Sequence, residues 1–209
     1  MQIAIPLFDR FTALDAVGPY EVLSRLPGAQ LDFVASEPGI YRTDTRMLAI
    51  EVEKSFDDLP APDVLVVPGG AGTRTVMHDG RTLDWVRAVH ENSDYTTSVC
   101  TGALILHAAG ILEGLESTTH WLYTDYLDKP VRRRVVEQGK VITAAGVSAG
   151  IDMALTLAAR IAGDDVAQAI QLAMEYDPEP PFDSGSPDKA PENVVNLVRA
   201  AEAAEHAQT

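Results

Sequence analysis

The residue best suited to covalent chemistry is Cys100, the only cysteine among 209 residues. It follows a β-like run, Tyr95–Val99, and precedes an apolar helical pattern, Thr101–Ala109. A sharp strand-to-helix turn at a nucleophile is called a nucleophile elbow, and the small Gly102 and Ala103 allow such a turn to close. The N–H groups and positive dipole end of the new helix favour a thiolate. Cys100 is therefore the predicted nucleophile; the alternative is a buried cysteine that only fills space.

A nucleophilic thiol needs a partner that moves protons, and His120 is the first of two candidates. It lies in the polar run Ser117–Trp121. A Cys–His pair would indicate acyl transfer or amide hydrolysis. The alternative is that His120 caps a helix or packs beside Trp121. The sequence leaves these two interpretations open.

The second candidate is Asp15, near the carboxyl end of the first predicted strand. A carboxyl group held against a thiol in an apolar pocket has a raised pKa and can act as an acid. The alternative is that Asp15 caps a helix entered through Pro19. Glu21 is the other carboxylate in this segment, and its position favours the helix surface over the site.

Backbone and hydroxyl donors near the thiol are expected from two further segments. Gly69 and Gly70 fit an anion hole, because glycine lets backbone N–H groups approach a reacting atom; a plain strand-end turn explains the pair equally well. Thr101 offers both an N–H and a hydroxyl to whatever Cys100 attacks. No spacing of His, Cys, Asp and Glu indicates a metal site, and there is no phosphate loop or nucleotide fingerprint. We therefore expect no metal and no cofactor.

The elements that must position these residues alternate between β-rich runs and helical patterns. Near-continuous apolar strands separated by helices indicate a parallel sheet covered on both faces, hence a doubly wound α/β sandwich. The predicted strands are Met1–Leu7, Gln30–Ala35, Asp63–Val67, Tyr95–Val99 and Val141–Ala144, with short strands or a hairpin between Gly39 and Val52. The predicted helices are Ala13–Leu26, Arg81–Asn92, Thr101–Ala109 and Ile151–Ala162.

Ligand sites in such sheets lie beyond the carboxyl ends of the strands. Three features fall at such ends, namely Pro68–Gly70, Cys100 and Gly146–Gly150. Their convergence predicts one site. Pocket size there would depend on side chains such as Tyr20, Trp121 and Val147.

One domain is expected to hold the whole chain. Residues 1–175 carry the α/β pattern. Asp177–Pro191 is rich in Pro, Asp, Ser and Gly and is predicted to be an ordered loop or a mobile arm. An amphipathic helix is predicted over Asn193–Ala207. We expect residues 176–209 to pack, as loop and helix, on the same domain.

Composition limits the compartment and the partners. The formal net charge is −15, with 31 acidic and 16 basic residues, which disfavours binding to nucleic acid. Arg132–Arg134 is the one basic cluster and is predicted to be solvated surface. No apolar run approaches the length of a membrane span, and the first residues read as a strand instead of a signal peptide. A single cysteine fits a reducing compartment, so a cytoplasmic location is expected.

Taken together, these motifs resemble the ThiJ/PfpI superfamily, relatives of class I glutamine amidotransferases. The resemblance implies a flavodoxin-like sheet and a homodimer. It also extends to the amidotransferase-like domain of certain AraC-type regulators, although the acidity of this chain argues against DNA binding. The stretches that carry the resemblance are Ile3–Phe8, Leu14–Val22, Asp63–Gly72, Ser98–Gly114, Thr118–Trp121 and Gly146–Ala154.

Within the superfamily, Cys100 is followed by Thr101, where the peptidase-like branch has a histidine. The sequence is most similar to the branch that hydrates isonitriles, and the aspartate of that branch matches Asp15. The resemblance implies attack of Cys100 on the isonitrile carbon, proton delivery by Asp15, and stabilisation of the intermediate by Thr101 and the Gly70 backbone. His120 would then lie next to the residues that contact the substrate and would not act as the base. The alternatives are a glyoxalase-, deglycase- or amidase-like thiol enzyme, or a cysteine redox sensor without turnover.

Overall fold

A computed structural model of the chain describes residues 1–206, with side chains described through residue 204. Two compact units divide the chain after Glu175. The first unit contains the sheet. Its strands are β1 (Gln2–Pro6), β2 (Gln30–Ala35), β3 (Gly39–Arg42), β4 (Ala49–Val52), β5 (Lys54–Ser55), β6 (Val64–Val67), β7 (Tyr95–Val99), β8 (Val135–Gln138) and β9 (Val141–Ala144).

The helices of the first unit separate these strands, and one long helix lies in the second. Two short 3-10 helices cover Phe56–Asp58 and Trp121–Tyr126. The α-helices are α1 (Ala13–Leu23), α2 (Thr73–Val76), α3 (Gly80–Asn92), α4 (Gly102–Ala108), α5 (Ala149–Ala162), α6 (Asp164–Ala173) and α7 (Glu192–His206).

The central sheet has seven strands in the order β5-β2-β1-β6-β7-β9-β8. All neighbours pair in parallel except β8, which is antiparallel to β9 at one edge, while β3 and β4 form a separate antiparallel pair. Every residue of β6 and of β9 is buried, as expected for strands covered on both faces. The expected α/β class, a doubly wound and flavodoxin-like parallel sheet flanked by helices, is therefore confirmed.

The parallel pairing brings three strand ends to one edge of the sheet. Val67 at the end of β6 pairs with Ser98, and Val99 at the end of β7 pairs with Ala144. Helix α1 packs against α5, and the close approach is visible at Gly18, where a Cβ would lie 3.1 Å from the side chain of Ile151. Helix α4 packs with α2 and α3. These contacts fix the first turn of α1 beside the ends of β6 and β7.

Several boundaries differ from the sequence-based expectation. Helix α1 begins at Ala13, as predicted, but ends at Leu23 instead of Leu26. Pro19 lies in its interior and Thr12 is its N-cap, so Pro19 is not its entry point and Asp15 is not its cap. Helix α5 begins at Ala149, two residues earlier than predicted. The predicted C-terminal helix corresponds to α7, and the last residue predicted for it, Ala207, lies outside the described residues. The predicted packing of residues 176–209 on the first domain stays a prediction.

No helix within residues 1–206 combines the length and apolar character that a membrane span requires.

Candidate active site

Cys100 occupies the turn between β7 and α4 in a conformation that side chains rarely adopt. Its φ is +56°, in the left-handed region that costs a non-glycine residue free energy. The surroundings hold it there: its N–H donates to the carbonyls of Ala144 and Ala145 at 3.1 and 3.0 Å, and its own carbonyl accepts from the Thr119 hydroxyl at 2.8 Å. Gly102 is required next to it, because a Cβ there would collide with the Val67 carbonyl. The thiol-bearing residue is therefore rigidly positioned.

Asp15 lies in the first turn of α1 and is fully buried. Its Oδ2 accepts a hydrogen bond from the Gly69 N–H at 2.9 Å. Its Oδ1 has no hydrogen bond of normal geometry within the described residues, and the carboxyl faces the thiol of Cys100 instead. A buried carboxyl with one free oxygen beside a thiol is suited to exchanging a proton with it.

The electrostatics of this pair follow from its burial. Removal from water raises the pKa of Asp15 to about 7, although the Gly69 N–H and the thiol act in the opposite direction, and the charge of Asp44 adds to the increase. The Asp15 carboxyl is thus protonated in a large fraction of molecules at neutral pH. This is the property required of an acid that works near pH 7.

The thiol differs from the sequence-based expectation. Burial, and secondly the charge of Asp15, raise the pKa of Cys100 instead of lowering it. The N–H groups of Val147 and Thr101 and the Thr101 hydroxyl favour the thiolate, but they do not outweigh the loss of water around a side chain that is 5% exposed. Cys100 and Asp15 therefore form one coupled acid–base pair in which the thiol is the resting form of the sulfur.

Gly69 and Gly70, which follow β6, contact this site through their N–H groups. Their role differs from the anion hole that the sequence predicted. The Gly69 N–H is committed to Asp15, and the Gly70 N–H donates to the Thr101 hydroxyl oxygen at 2.9 Å. A Cβ on Gly69 would lie 2.5 Å from Thr101 Oγ1 and 2.9 Å from Asp15 Oδ2. Gly70 has a φ of +134°. The two glycines hold the acid and the hydroxyl in place, so their N–H groups are not free to bind an intermediate.

The loop that precedes α5 supplies a donor in their place. Val147 has a φ of +33°, which is strained for a β-branched residue, and its N–H acts to lower the pKa of Cys100, although burial outweighs it. The residue before it, Gly146, lies against the His120 ring, because a Cβ there would be 2.5 Å from His120 Cδ2. The N–H groups of Val147 and Thr101 therefore favour the thiolate, and the His120 ring packs against Gly146 on the same loop.

His120 is the N-cap of the 3-10 helix Trp121–Tyr126, and its Nδ1 accepts from the Leu122 N–H at 3.4 Å. Its ring lies 5.9 Å from the Trp121 ring, centroid to centroid. These are the contacts of a capping and packing histidine, which the sequence left as the alternative to a catalytic base.

Two of the residues named from the sequence lie away from the thiol. Glu21 pairs with Arg25, which lies just beyond the end of α1, with Arg25 Nη1 and Glu21 Oε2 2.7 Å apart. Tyr20 stacks on Phe33 of β2, with ring centroids 5.6 Å apart, and is 36% exposed. Helix α1 therefore presents Asp15 to the site and Glu21 to the surface.

Three contributors were not identified from the sequence, namely Thr73, Thr119 and Asp44. Thr73 is buried and its Oγ1 lies 3.1 Å from Thr101 Oγ1. Thr119 holds the Cys100 carbonyl, and Asp44 accepts from the Thr12 hydroxyl and raises the pKa of Asp15. Thr119 stands beside His120 in the polar motif, which was a usable signal; the other two are brought in only by the tertiary fold.

Among residues 1–206, no group of three or more His, Cys, Asp and Glu side chains is arranged to hold a metal ion.

A buried thiol in a strained strand-to-helix turn, facing a carboxyl of raised pKa, is the candidate active site of this α/β protein. The DJ-1/PfpI family pattern matches residues 1–160. An isonitrile hydratase of Pseudomonas putida is 47% identical over 203 residues, covering 95% of this chain and 89% of the relative. A ThiJ/PfpI family protein from Pseudomonas syringae, solved by crystallography, superposes with a TM-score of 0.93 at 36% identity, covering 97% of this chain and 86% of that one. The transcriptional regulator CdhR of Pseudomonas aeruginosa is 27% identical over 182 residues, covering 83% of this chain and 53% of the regulator.

The chain belongs to the DJ-1/PfpI family, as its motifs indicated. Its identity with the Pseudomonas putida enzyme confirms the expectation of an enzyme of this family.

Proposed function

We propose that this protein hydrates isonitriles, R–N≡C, to N-substituted formamides through a thioimidate on Cys100. The observation that carries the proposal is the buried Asp15 carboxyl, with a pKa of about 7, facing the Cys100 thiol. The identity of 47% with an isonitrile hydratase supports the same substrate class. The substrate is a small molecule, and the reaction as written uses no cofactor.

The first step adds the thiol across the terminal carbon of the isonitrile. The Cys100 proton passes to Asp15, the sulfur attacks the carbon, and Asp15 returns the proton to that carbon. The product is a thioimidate, R–N=CH–S–Cys100, and Asp15 is again a carboxylate. Because the pair exchanges a single proton, the high pKa of the thiol is not an obstacle: the thiolate is needed only while Asp15 is protonated.

The second step hydrolyses the thioimidate. Asp15 as a carboxylate takes a proton from water as the oxygen adds to the carbon, and passes it to the nitrogen. The same carboxylate then takes the hydroxyl proton while the carbon–sulfur bond breaks. The products are R–NH–CHO, the Cys100 thiolate and protonated Asp15, which is the starting pair after proton exchange. Atoms balance as one isonitrile and one water for one formamide.

The neighbouring donors stabilise the sulfur during both steps. The Val147 N–H and the Thr101 N–H and hydroxyl interact with the sulfur, so they favour the thiolate as it forms and as it leaves. His120 caps a helix and packs on Gly146, which supports its assignment to positioning that loop and not to proton transfer. This arrangement favours isonitrile hydration over an amidase-like reaction that needs a Cys–His pair.

The finer expectations on assembly and location are also proposals. The resemblance implies a homodimer, and the single cysteine favours a cytoplasmic location. Light scattering of the purified protein tests the first: a mass of two chains supports it, and a mass of one chain contradicts it.

The test of the function is turnover of a simple aromatic isonitrile, followed as formamide by chromatography. We expect formamide from the parent protein and none above the uncatalysed rate from Cys100→Ala. A folded parent protein with an alkylatable thiol but no formamide would contradict the proposal and favour carbonyl chemistry or redox sensing. His120→Ala then tests the amidase-like alternative. If the activity found is lost in His120→Ala but kept in Asp15→Asn, an amidase-like reaction is favoured.

A further inference from the structure

The hydroxyl of Thr12, the residue just before α1, bonds to a distant part of the chain. A threonine at the N-cap commonly accepts a hydrogen bond from one of the first N–H groups of its helix, but Thr12 makes no such bond with the described residues of α1. It donates instead to Oδ2 of Asp44 at 2.8 Å. Asp44 lies in the β3–β4 loop, residues 43–48, which joins those two strands. This loop therefore takes the hydroxyl away from the helix that carries Asp15.

Asp44 is itself held in place by its neighbours. Its other carboxylate oxygen, Oδ1, accepts from the Thr45 N–H at 2.7 Å. Its own N–H donates to the carbonyl of Phe11 at 2.9 Å, and the Phe11 side chain is fully buried. Asp44 thus contacts Phe11 through its backbone and Thr12 through its side chain. The bond to Thr12 has an ionised acceptor, and such bonds are about twice as strong as those between neutral groups.

Thr12 connects this contact to the acid through its backbone. Its N–H donates to the Gly69 carbonyl at 2.8 Å, and its carbonyl accepts from the Asp15 N–H at 3.1 Å. The Gly69 N–H in turn donates to Asp15 Oδ2 at 2.9 Å. Thr12, Asp15 and Gly69 therefore form a closed ring of three hydrogen bonds, and Asp44 ties this ring to the β3–β4 loop.

Without Asp44, the Thr12 hydroxyl would have a competing partner inside the ring. An N-cap hydroxyl usually accepts from the second or third N–H of its helix, and the third N–H of α1 belongs to Asp15. A Thr12 hydroxyl that turned to this N–H would draw it away from the Thr12 carbonyl. The first turn of α1 would then have a second arrangement, in which the Asp15 carboxyl no longer has its present position against Gly69.

We infer that Asp44 is a positioning residue for the acid: it holds the Thr12 hydroxyl and so fixes the turn of α1 that places the Asp15 carboxyl beside Cys100. The inference rests on the proposed function only in taking Asp15 as the acid. The charge of Asp44, which adds to the raised pKa of Asp15, is a separate effect that the experiment has to cancel.

Asp44→Ala and Asp44→Asn together isolate the hydrogen bond. Both variants lack the charge, but only asparagine keeps an oxygen that can accept from the Thr12 hydroxyl. We expect the maximal rate of formamide formation across the pH profile to fall about tenfold in Asp44→Ala, with KM within about twofold of the parent, because a misplaced acid affects the reacting geometry and not substrate binding. Asp44→Asn should keep its maximal rate within about twofold of the parent.

Glu51→Ala is the matched control for Asp44→Ala. Glu51 is an exposed carboxylate on β4, where it pairs with Ile40 of β3, so its loss removes the same charge from the same pair of strands. The maximal rate and KM of this variant should both equal the parent values.

Hydrogen exchange gives a readout that needs no substrate. The amides of Thr12, Asp15 and Gly69 are the three donors of the ring. Followed by nuclear magnetic resonance, they should exchange about tenfold faster in Asp44→Ala, because the turn then opens more often. They should exchange at the parent rates in Asp44→Asn and in Glu51→Ala.

A Thr12→Val background tests whether the effect passes through Thr12. There Asp44→Ala and Asp44→Asn should give equal maximal rates and equal exchange of the Asp15 and Gly69 amides, since no hydroxyl remains to be held. If Asp44→Ala does not fold, Thr12→Val against Thr12→Ser makes the same comparison from the side of the donor, and serine should match the parent.

Two results would overturn the inference. One is parent exchange rates at the ring amides in a folded Asp44→Ala or Thr12→Val protein. The other is an equal loss in Asp44→Ala and Asp44→Asn, which would assign the effect to the charge. Absence of isonitrile turnover in the parent protein would count against the proposed function alone, because the exchange measurement would still decide the role of Asp44.

Discussion

The two ends of helix α1 carry the same chemical group in opposite circumstances. In its first turn, Asp15 is fully buried, accepts a hydrogen bond from Gly69 and faces Cys100. In its last turn, the Glu21 side chain is 43% exposed and pairs with Arg25, which lies just beyond the helix. The first turn packs on the loop that follows β6, and the last turn is exposed to solvent. At the buried end, removal from water raises the pKa of the carboxyl to about 7 and so makes it a suitable acid near neutral pH.

The largest effect is expected from a substitution of Asp15, at the buried end of α1. Asp15→Asn keeps the shape and the hydrogen bond to Gly69 but cannot exchange a proton with Cys100. We expect formamide formation to fall by about 10²–10⁴-fold, the range of positioned acid–base groups. Steady-state turnover of an aromatic isonitrile measures it. Full activity of Asp15→Asn would remove the proton partner from the mechanism.

Gly69→Ala tests the contact that holds the buried end. A Cβ would lie 2.5 Å from Thr101 Oγ1 and 2.6 Å from the Thr101 nitrogen, so the loop or α4 must move. We expect the free energy of unfolding to fall by about 1–3 kcal/mol, together with activity. Gly80→Ala is the control, since a Cβ there meets no atom within 4 Å and α3 gains a better helix former. Urea titration of both variants gives the comparison; equal stabilities would contradict the packing described.

Asp15 also makes stability depend on pH in a defined direction. Its folded pKa, about 7, lies above the ordinary value of 3.8, so between these values the folded state holds a proton that the unfolded state has lost. Its contribution is complete below pH 3.8 and is lost as the pH rises to 7. Asp15→Asn removes that dependence, and we expect it to be more stable than the parent at pH 8, by of order 2–4 kcal/mol, but not at pH 4. Urea unfolding at both pH values checks this, and an equal difference at both would contradict it.

A smaller effect is expected from a substitution of His120, which packs against Gly146 in the loop before α5. His120→Ala removes an N-cap acceptor, with a cost of about 1 kcal/mol, and the ring that packs on Gly146. We expect activity to fall by no more than about tenfold, since the proposed mechanism transfers no proton through this side chain. His120→Asn keeps a capping oxygen and should recover the stability in thermal unfolding. A loss of activity as large as that of Asp15→Asn would make His120 a proton carrier after all.

The smallest effect is expected from a substitution of Glu21, at the exposed end of α1. Glu21→Gln removes a solvent-accessible ion pair with Arg25, and such pairs contribute about 0–1 kcal/mol. Activity should stay within about twofold of the parent, and the unfolding free energy within about 0.5 kcal/mol. This variant is the matched control for Asp15→Asn, and a comparable loss of activity in both would erase the distinction between the two ends.

The fold was largely predictable because its signals are local. Runs such as Val64–Val67 and Val141–Ala144 are apolar throughout, and this pattern is typical of strands covered on both faces. Proline usually marks the first turn of a helix, but Pro19 lies in the interior of α1, so the alternative of a helix entered through Pro19 is wrong. Tertiary packing against α5 overrides that local preference.

The site was predictable in its residues and less so in its electrostatics. Cys100 and Thr101 follow the end of β7, and Asp15 lies in the first turn of α1, which follows β1, so their convergence follows from the topology. The direction of the thiol pKa did not follow, because the helix dipole is a local property whereas burial depends on the whole fold. For the same reason Thr73 was not predicted as a site residue, because the hydroxyl that it contacts belongs to Thr101, 28 residues away in the chain.

Titration of the Asp15 carboxyl tests the central claim most directly. Difference infrared spectroscopy follows the protonated-carboxyl band from acid to alkaline pH in the parent protein, and Asp15→Asn identifies the contribution of Asp15. The expected result is a band that disappears with a midpoint near pH 7 and is absent from the variant. A midpoint at the ordinary value of 3.8 would mean that the fold does not raise the pKa of Asp15, and would contradict the claim that this carboxyl holds a proton beside Cys100 near neutral pH.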